Sequence, residues 1–332
     1  MGTAAEHATP MTLPTVSPST RVDLIADVAS RIGSVREATW IVEQVETAVT
    51  DPSSVARSAT SLADRRAAGE PLQYVLGSWQ FRSLELMVDR RVLIPRPETE
   101  QLVEVALAEL DRIVGERTAA DGVPVGRTAA DRVPPERTAP GEGPVRPAPV
   151  CVDLGTGSGA IALSLSREGG RCGVAPEVWA TDRSVDALDV ARMNLAALAQ
   201  QHPDAARRVT LVEGSWFDPL PAHLARRVDL IVSNPPYVSE EEYATLAPEV
   251  RDWEPHAALV APRGRAGVAG MADIETVVAG SARWLRPSGA LVVELAPAQA
   301  YAAVDAARRA GFSRVGTARD LAGRLRMLVA VR

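Results

Sequence analysis

Asn234-Pro235-Pro236-Tyr237 directly follows the apolar run Val228-Asp229-Leu230-Ile231-Val232-Ser233. A strand that stops at an amide and two prolines ends in a stiff ledge. Neither proline carries an N–H, and Pro236 pushes Pro235 towards extended backbone. The ledge can therefore offer acceptors, the Asn234 side-chain oxygen and the Pro235 carbonyl, beside the ring of Tyr237. Two acceptors and an aromatic wall suit a planar NH2 group held by both hydrogens. Methyltransferases acting on amide or exocyclic amino nitrogens need such a holder. Taken alone, the tetrapeptide fits a proline-stiffened turn equally well.

Three further segments carry chemistry. Val150-Cys151-Val152-Asp153-Leu154 runs into Gly155-Thr156-Gly157-Ser158-Gly159, an expected strand, Gly-rich turn and helix start. Glycines there allow close approach of backbone to a ligand. Gly155, Gly157 and Ala160 also satisfy a relaxed dinucleotide fingerprint, but Asp153 and the spacing of Gly159 favour a nucleoside without phosphates. Ala180-Thr181-Asp182 closes a second strand with an acid that can accept both ribose hydroxyls, or can serve a helix start instead. Glu213-Gly214-Ser215-Trp216-Phe217 closes a third with two aromatics where an adenine could lie, although a Trp beside a strand is more often core. Glycine loop, acid, aromatics and amide at four strand ends fit the rule that open α/β sheets bind ligands at their carboxyl edge. Together they point to S-adenosyl-L-methionine as cofactor, with Asn234 lying beside it.

These strand ends need a sheet to align them. Strands are expected at 150–154, 178–181, 209–212, 228–232, 290–295, 313–317 and 326–331, with helices at 160–167, 185–200, 271–285 and 298–310. Alternation of this kind predicts a doubly wound α/β sheet of seven strands, closing on an antiparallel pair. Upstream, Leu24, Ile25, Val28 and Ile32, then Trp40, Ile41, Val45 and Val49 recur at helical spacing, which predicts a small helical domain over 21–77. The alternating stretch Trp79–Val88 predicts a β-hairpin linker within 78–92. Pro97, Glu98 and Glu100 open a helix at the start of the catalytic domain, 93–332.

Two segments look structureless. Residues 1–20, rich in Thr, Pro, Ser and Ala, read as a disordered tail. Within 115–149, Arg117-Thr118-Ala119-Ala120-Asp121 recurs as Arg127-Thr128-Ala129-Ala130-Asp131. A Pro- and Gly-rich repeat with so little apolar content reads as a disordered low-complexity insertion.

Across 332 residues the formal charge is −6, which argues against broad nucleic-acid binding through phosphate neutralisation. Cys151 and Cys172 make no metal-ligand spacing, and no metal is expected. Neither a signal peptide nor a run of transmembrane length is recognisable, so the expectation is a cytoplasmic protein without membrane association.

Asp153–Leu163, Trp216-Phe217, Ser233-Asn234-Pro235-Pro236-Tyr237 and Glu254-Pro255 resemble the HemK-type release-factor glutamine methyltransferases. So do Gly69-Glu70-Pro71-Leu72-Gln73-Tyr74-Val75-Leu76-Gly77 and Leu93-Ile94-Pro95-Arg96-Pro97-Glu98-Thr99-Glu100. The last two matter most, because Asn-Pro-Pro-Tyr is shared with several nucleic-acid methyltransferases. The resemblance implies a class I, Rossmann-like methyltransferase sheet behind a helical substrate-recognition domain. It also implies methylation of the glutamine N5 in the Gly-Gly-Gln loop of class I peptide chain release factors. Asn234, Pro235, Pro236 and Tyr237 would hold the amide. Gly155, Thr156, Gly157, Ser158, Gly159, Asp182, Trp216, Phe217 and Asn234 would hold S-adenosyl-L-methionine. A monomer that does not contact nucleic acid is expected. The chain departs from the family pattern at Ser215, where an Asp is common, at Pro262-Arg263-Gly264-Arg265, and in the insertion. Three rival readings stand beside this one: a nucleic-acid amino methyltransferase using the same ledge, a non-catalytic translation-factor-binding module, and a nicotinamide oxidoreductase.

Overall fold

The computed structural model describes residues 18–49, 51–120, 147–170, 175–265 and 267–332. They form two units, one running to Gly77 and including Pro248–Trp253, the other comprising Ser78–Ala247 and Glu254–Arg332.

The first unit holds α1 (Pro18–Ile32), α2 (Val35–Ala48), α3 (Pro52–Ala67) and α4 (Leu72–Leu76). Ala38, Ile41, Val42 and Val45 of α2 meet Val55, Ala59 and Ala63 of α3 in one core, as positions three and four apart on one helix face should. Ser34 caps α2 by accepting the Glu37 N–H at 3.3 Å. Glu70 is buried at the turn before α4, and both its oxygens accept from the Arg65 guanidinium at 2.7 and 2.8 Å. Arg66 pairs with Glu37 and with Glu249 of the returning segment.

In the second unit, β1 (Ser78–Phe81) and β2 (Leu84–Met87) pair as a hairpin whose turn holds Arg82 at φ 52. There follow α5 (Pro97–Ala120), β3 (Val150–Leu154), α6 (Ala160–Glu168), β4 (Glu177–Asp182), α7 (Val185–Gln201), β5 (Val209–Glu213) and β6 (Val228–Ser233). The chain ends through α8 (Ala272–Trp284), β7 (Leu285–Glu294), α9 (Ala300–Arg309), β8 (Arg314–Arg319) and β9 (Leu325–Val331). The seven strands run in the order β5-β4-β3-β6-β7-β9-β8. The first five are parallel and β9 is antiparallel to both neighbours.

Alternate strand residues serve opposite faces. Cys151, Leu230, Val232 and Val292 pack with α5 and α6, while Val152, Leu154, Ile231 and Val293 pack with α8 and α9. Covering both faces explains why β6 is buried at every position. The architecture is the doubly wound α/β sheet with an antiparallel end expected from the alternation of elements.

Two expected boundaries move. α1 starts at Pro18, inside the stretch read as a tail. α5 continues through Ala120, six residues into the stretch read as an insertion. Long-range contacts hold that last turn: Arg117 donates to the Pro147 carbonyl at 2.9 Å and pairs with buried Asp229, and within the helix the Thr118 hydroxyl donates back to the Val114 carbonyl. Residues 1–17 and 121–146, and Cys172, lie outside the described residues. Cys151 is buried in β3. Among the described residues no helix is long and apolar enough to cross a membrane.

Candidate active site

Strand pairing puts the expected site residues in one row. Leu154 lies opposite Thr181 and Ser233, and Ser233 lies opposite Val293. The next residues along these strands are Gly155, Asp182, Asn234 and Glu294. Residues spread over the sequence from 155 to 294 thus reach the same edge because their parallel strands end at one level. The chain reverses its direction of winding between β3 and β6, the position where such sheets open a crevice.

A cleft with about 150 Å³ of free volume opens there. Gly155, Gly157, Asp182, Trp216, Asn234 and Pro236 line it. The Asp182 carboxylate is oriented by two main-chain donors, Gly157 N to Oδ2 and Ser184 N to Oδ1, each at 2.9 Å. Each oxygen keeps a lone pair for a ligand hydroxyl. Gly155 sits at φ +73, where a side chain would be strained, and the Trp216 ring stands 3.5 Å from where a Cβ would be.

The adjacent aromatics part company. Trp216, itself at φ 46, lines the cleft, and its carbonyl accepts the Thr181 hydroxyl at 2.8 Å. Phe217 turns inward and stacks on Trp284 of α8 with ring centroids 6.3 Å apart. Thr156, Ser158 and Gly159 shape the turn from behind. The Thr156 hydroxyl donates to Asp153, the Ser158 carbonyl accepts from Asn194, and Gly159 precedes α6 as its cap.

Asp153 is fully buried beside this turn. Its Oδ2 accepts from Thr156 and from the Ala162 N–H, while Oδ1 has no partner among the described residues. Burial is the main cause of its pKa being pushed up to about 7. Asp153 does not line the cleft and braces the glycine turn from behind, while Gly155 and Gly157 face the cleft, where S-adenosylmethionine would be the ligand. With Asp182 for its ribose and Trp216 for its base, the residues present fit that group.

The ledge is pinned from several sides. The Tyr237 N–H donates to the Leu259 carbonyl, and its own carbonyl accepts from Gln299 Nε2 at 2.8 Å. Gly270, at φ +64, passes so close that any Cβ would collide with that carbonyl. The Tyr237 hydroxyl donates to Glu294 Oε1 at 3.2 Å, which tethers the ring. Burial chiefly, with Glu294 adding, raises the Tyr237 pKa far above its usual value. Pro235 is buried, and neither it nor Tyr237 lines the cleft. Asn234 does line the cleft, and its Nδ2 donates to the Thr99 hydroxyl at 3.1 Å.

Residue types alone missed several participants. Thr99 stands in the stretch Leu93–Glu100, and Glu294 is the one acid in the apolar run Leu291–Leu295, a pattern that marks a buried charge. Arg183 and Asp273 also line the cleft. The family-like acids have structural partners. Glu254 is buried, accepts from Arg96 and from the Ile94 N–H, and so fixes the start of the Pro255–Ala258 wall. Glu98 pairs with Arg324, and Glu100 accepts the Arg82 N–H.

A family model described as Methyltransferase small domain matches residues 144–250. A release factor glutamine methyltransferase of Cereibacter sphaeroides is 37% identical over 279 residues, 84% of this chain and 80% of that protein. Its counterpart in Salmonella typhimurium is 35% identical over 289 residues, 87% of this chain and 84% of that one. The one in Bordetella pertussis is 38% identical over 276 residues, 82% and 83% of the two chains. A solved 16S rRNA N2 G1207 methyltransferase of T. thermophilus, in complex with AdoMet and guanosine, is 19% identical over 77% of this chain and 49% of that one, at a TM-score of 0.42. The chain belongs to the release factor glutamine methyltransferase family.

Proposed function

We infer that this chain transfers a methyl group from S-adenosyl-L-methionine to the side-chain amide nitrogen of a glutamine in peptide chain release factors. The bound sulfonium supplies an already activated methyl group. A primary amide nitrogen is a poor nucleophile because its lone pair is delocalised into the carbonyl, so the task left to the protein is alignment.

In this reading Asn234 Oδ1 and the Pro235 carbonyl each accept one N–H of the substrate amide, and the Tyr237 ring walls one side. As the new N–C bond forms, the N–H groups become more acidic and both hydrogen bonds strengthen, which favours the transition state over the ground state. Neither acceptor is a base, so the surplus proton leaves to water after transfer. Asp182 holds the ribose hydroxyls and Trp216 packs on the adenine. Gly155–Gly159 carry the cofactor's methionine end, with Thr156, Ser158 and Gly159 acting through the backbone and Phe217 only by supporting Trp216 from the core.

The observation that supports this assignment best is the row of strand ends, which brings Asn234 level with the glycine turn and Asp182 in a single cleft. The relatives are named for glutamine as acceptor and release factors as substrate, and we extend both to this chain. The acceptor is assigned to the Gly-Gly-Gln loop of class I factors, with the unit spanning residues 21–77 gripping the factor and the enzyme working as a monomer without nucleic acid.

The full chain, incubated with S-adenosylmethionine and a class I release factor, should add one methyl group to the Gly-Gly-Gln glutamine by peptide mass spectrometry. Methylation of added RNA or DNA with an unmodified factor would overturn the assignment.

A further inference from the structure

Glu294 ends β7 on the row that contains Asn234, and it is buried. Two hydroxyls converge on it: Thr99 Oγ1 donates to Oε2 at 2.8 Å and the Tyr237 hydroxyl to Oε1 at 3.2 Å. Thr99 Oγ1 in turn receives Asn234 Nδ2 at 3.1 Å. A carboxylate only accepts hydrogen bonds, so the single Thr99 proton is committed to Glu294. Towards Asn234, Thr99 then shows lone pairs alone, and only the NH2 end of the Asn234 side chain can meet them.

We propose that Glu294 and Thr99 are positioning residues that lock the Asn234 amide in the one of its two flips that turns Oδ1 towards the substrate. The proposal rests on the reading of Asn234 as the amide holder. In the opposite flip Oδ1 would face the Thr99 lone pairs, and the Asn234 NH2 would face the substrate NH2. Both arrangements set like against like, so the lock converts an amide with two orientations into a fixed acceptor. Tyr237 contributes by holding the second carboxylate oxygen, which stops Glu294 from rotating away from Thr99.

The lock depends on the charge state of Glu294. Burial opposes the carboxylate form most strongly. Thr99 from α5, Arg326 from β9 and Tyr237 from the ledge favour it, and Glu98 from α5 opposes it, leaving the pKa pushed up to about 7. Arg96 acts on the same cluster through Tyr237. When Glu294 is protonated on Oε2, it donates to Thr99, whose own proton is released towards Asn234. Oδ1 then turns inward to accept it and is lost to the substrate. Turnover should therefore fall on the acid side of a limb near neutrality.

The test uses the full chain, S-adenosylmethionine and a class I release factor, with calorimetric cofactor binding as the check on folding. Thr99→Val should lower kcat roughly tenfold to a hundredfold, as loss of a supporting hydrogen bond does elsewhere. KM for the factor and cofactor affinity should stay within about threefold. Thr99→Ser, which keeps the hydroxyl, should restore most of the rate. Asn234→Ala added to Thr99→Val should cost little more, because both act through one contact. Glu294→Gln still offers Thr99 an oxygen and should retain most of kcat at high pH while losing the acid limb. Wild-type kcat in Thr99→Val, or an unchanged acid limb in Glu294→Gln, would overturn the lock. Full activity in Asn234→Ala would instead remove the amide-holder reading beneath it.

Discussion

The Asp182 carboxylate and the Gly157 amide are 2.9 Å apart, so the acid that ends β4 is held by the very turn that follows β3. A second main-chain donor, Ser184 N, holds the other oxygen. The acid is thus oriented before any ligand arrives, and its free lone pairs face the cleft as a fixed pair of acceptors.

That orientation makes Asp182→Asn nearly as damaging as Asp182→Ala. An asparagine can satisfy one of the two main-chain donors with its oxygen, but it must turn its own NH2 against the other. Both variants should weaken S-adenosylmethionine binding roughly tenfold to a hundredfold by isothermal titration, equivalent to about 1.4–2.8 kcal/mol. A dissociation constant unchanged in Asp182→Ala would remove the residue from the cofactor site.

Trp216 and Phe217 should separate binding from stability. Trp216→Ala removes a cleft wall and is expected to weaken cofactor binding more than it lowers the unfolding free energy. Phe217→Ala removes the partner of Trp284 and leaves a cavity over Gly280. Because Phe217 is only partly buried, about 2–3 kcal/mol of destabilisation is expected, at the low end for such a truncation. Denaturant unfolding and cofactor titration of the two variants should give opposite rank orders.

Stability of the protein without cofactor should fall between mildly acid and neutral pH. Asp153 and Glu294 are both pushed up to about 7 by burial, from ordinary values of 3.8 and 4.5. For each, the folded state binds its proton more tightly than the unfolded state. The stabilisation is full below the ordinary value and is lost as pH rises through about 7. The melting temperature should thus decline from pH 5 to pH 8 as far as these two groups determine it. Asp153→Asn should flatten the decline, and an equally steep profile in that variant would exclude Asp153 as a source.

How much of this was legible in the sequence depends on distance along the chain and on backbone detail. The strand ends were readable because each apolar run stops at a glycine, an acid or an amide, and parallel pairing then aligns whatever stands there. Which of Trp216 and Phe217 would reach the cleft was not readable. It depends on the backbone at this turn, where Trp216 stands in the left-handed region at φ 46, a detail that no residue-type pattern announces. Thr99 and Glu294 were hidden differently. They are 195 residues apart and meet only because the start of α5 lies over the end of β7. The continuation of α5 to Ala120 was masked by the repeat's composition, while its support comes from Pro147 and Asp229.

The Arg96–Glu254 pair should link a residue outside the cleft to cofactor affinity. Glu254 is buried and Arg96 partly exposed, and burial raises the Glu254 pKa while Arg96 counters it. Removing only the arginine leaves an acid in the interior without its counter-charge, a change that typically costs about 3–5 kcal/mol. Arg96→Ala should therefore destabilise the protein by about 3 kcal/mol, the lower figure because water can reach the vacated side. Glu254→Gln, which keeps a side chain that can still accept the Ile94 N–H, should cost less. The double variant should lose less than the sum of the two, since the stranded charge is then gone. Pro255, Ala257 and Ala258 line the cleft just beyond Glu254, so freeing this anchor should also weaken S-adenosylmethionine binding in Arg96→Ala, and Glu254→Gln in that background should restore part of it. Cofactor affinity untouched by Arg96→Ala, measured under conditions where the variant is fully folded, would show that the pair serves stability alone.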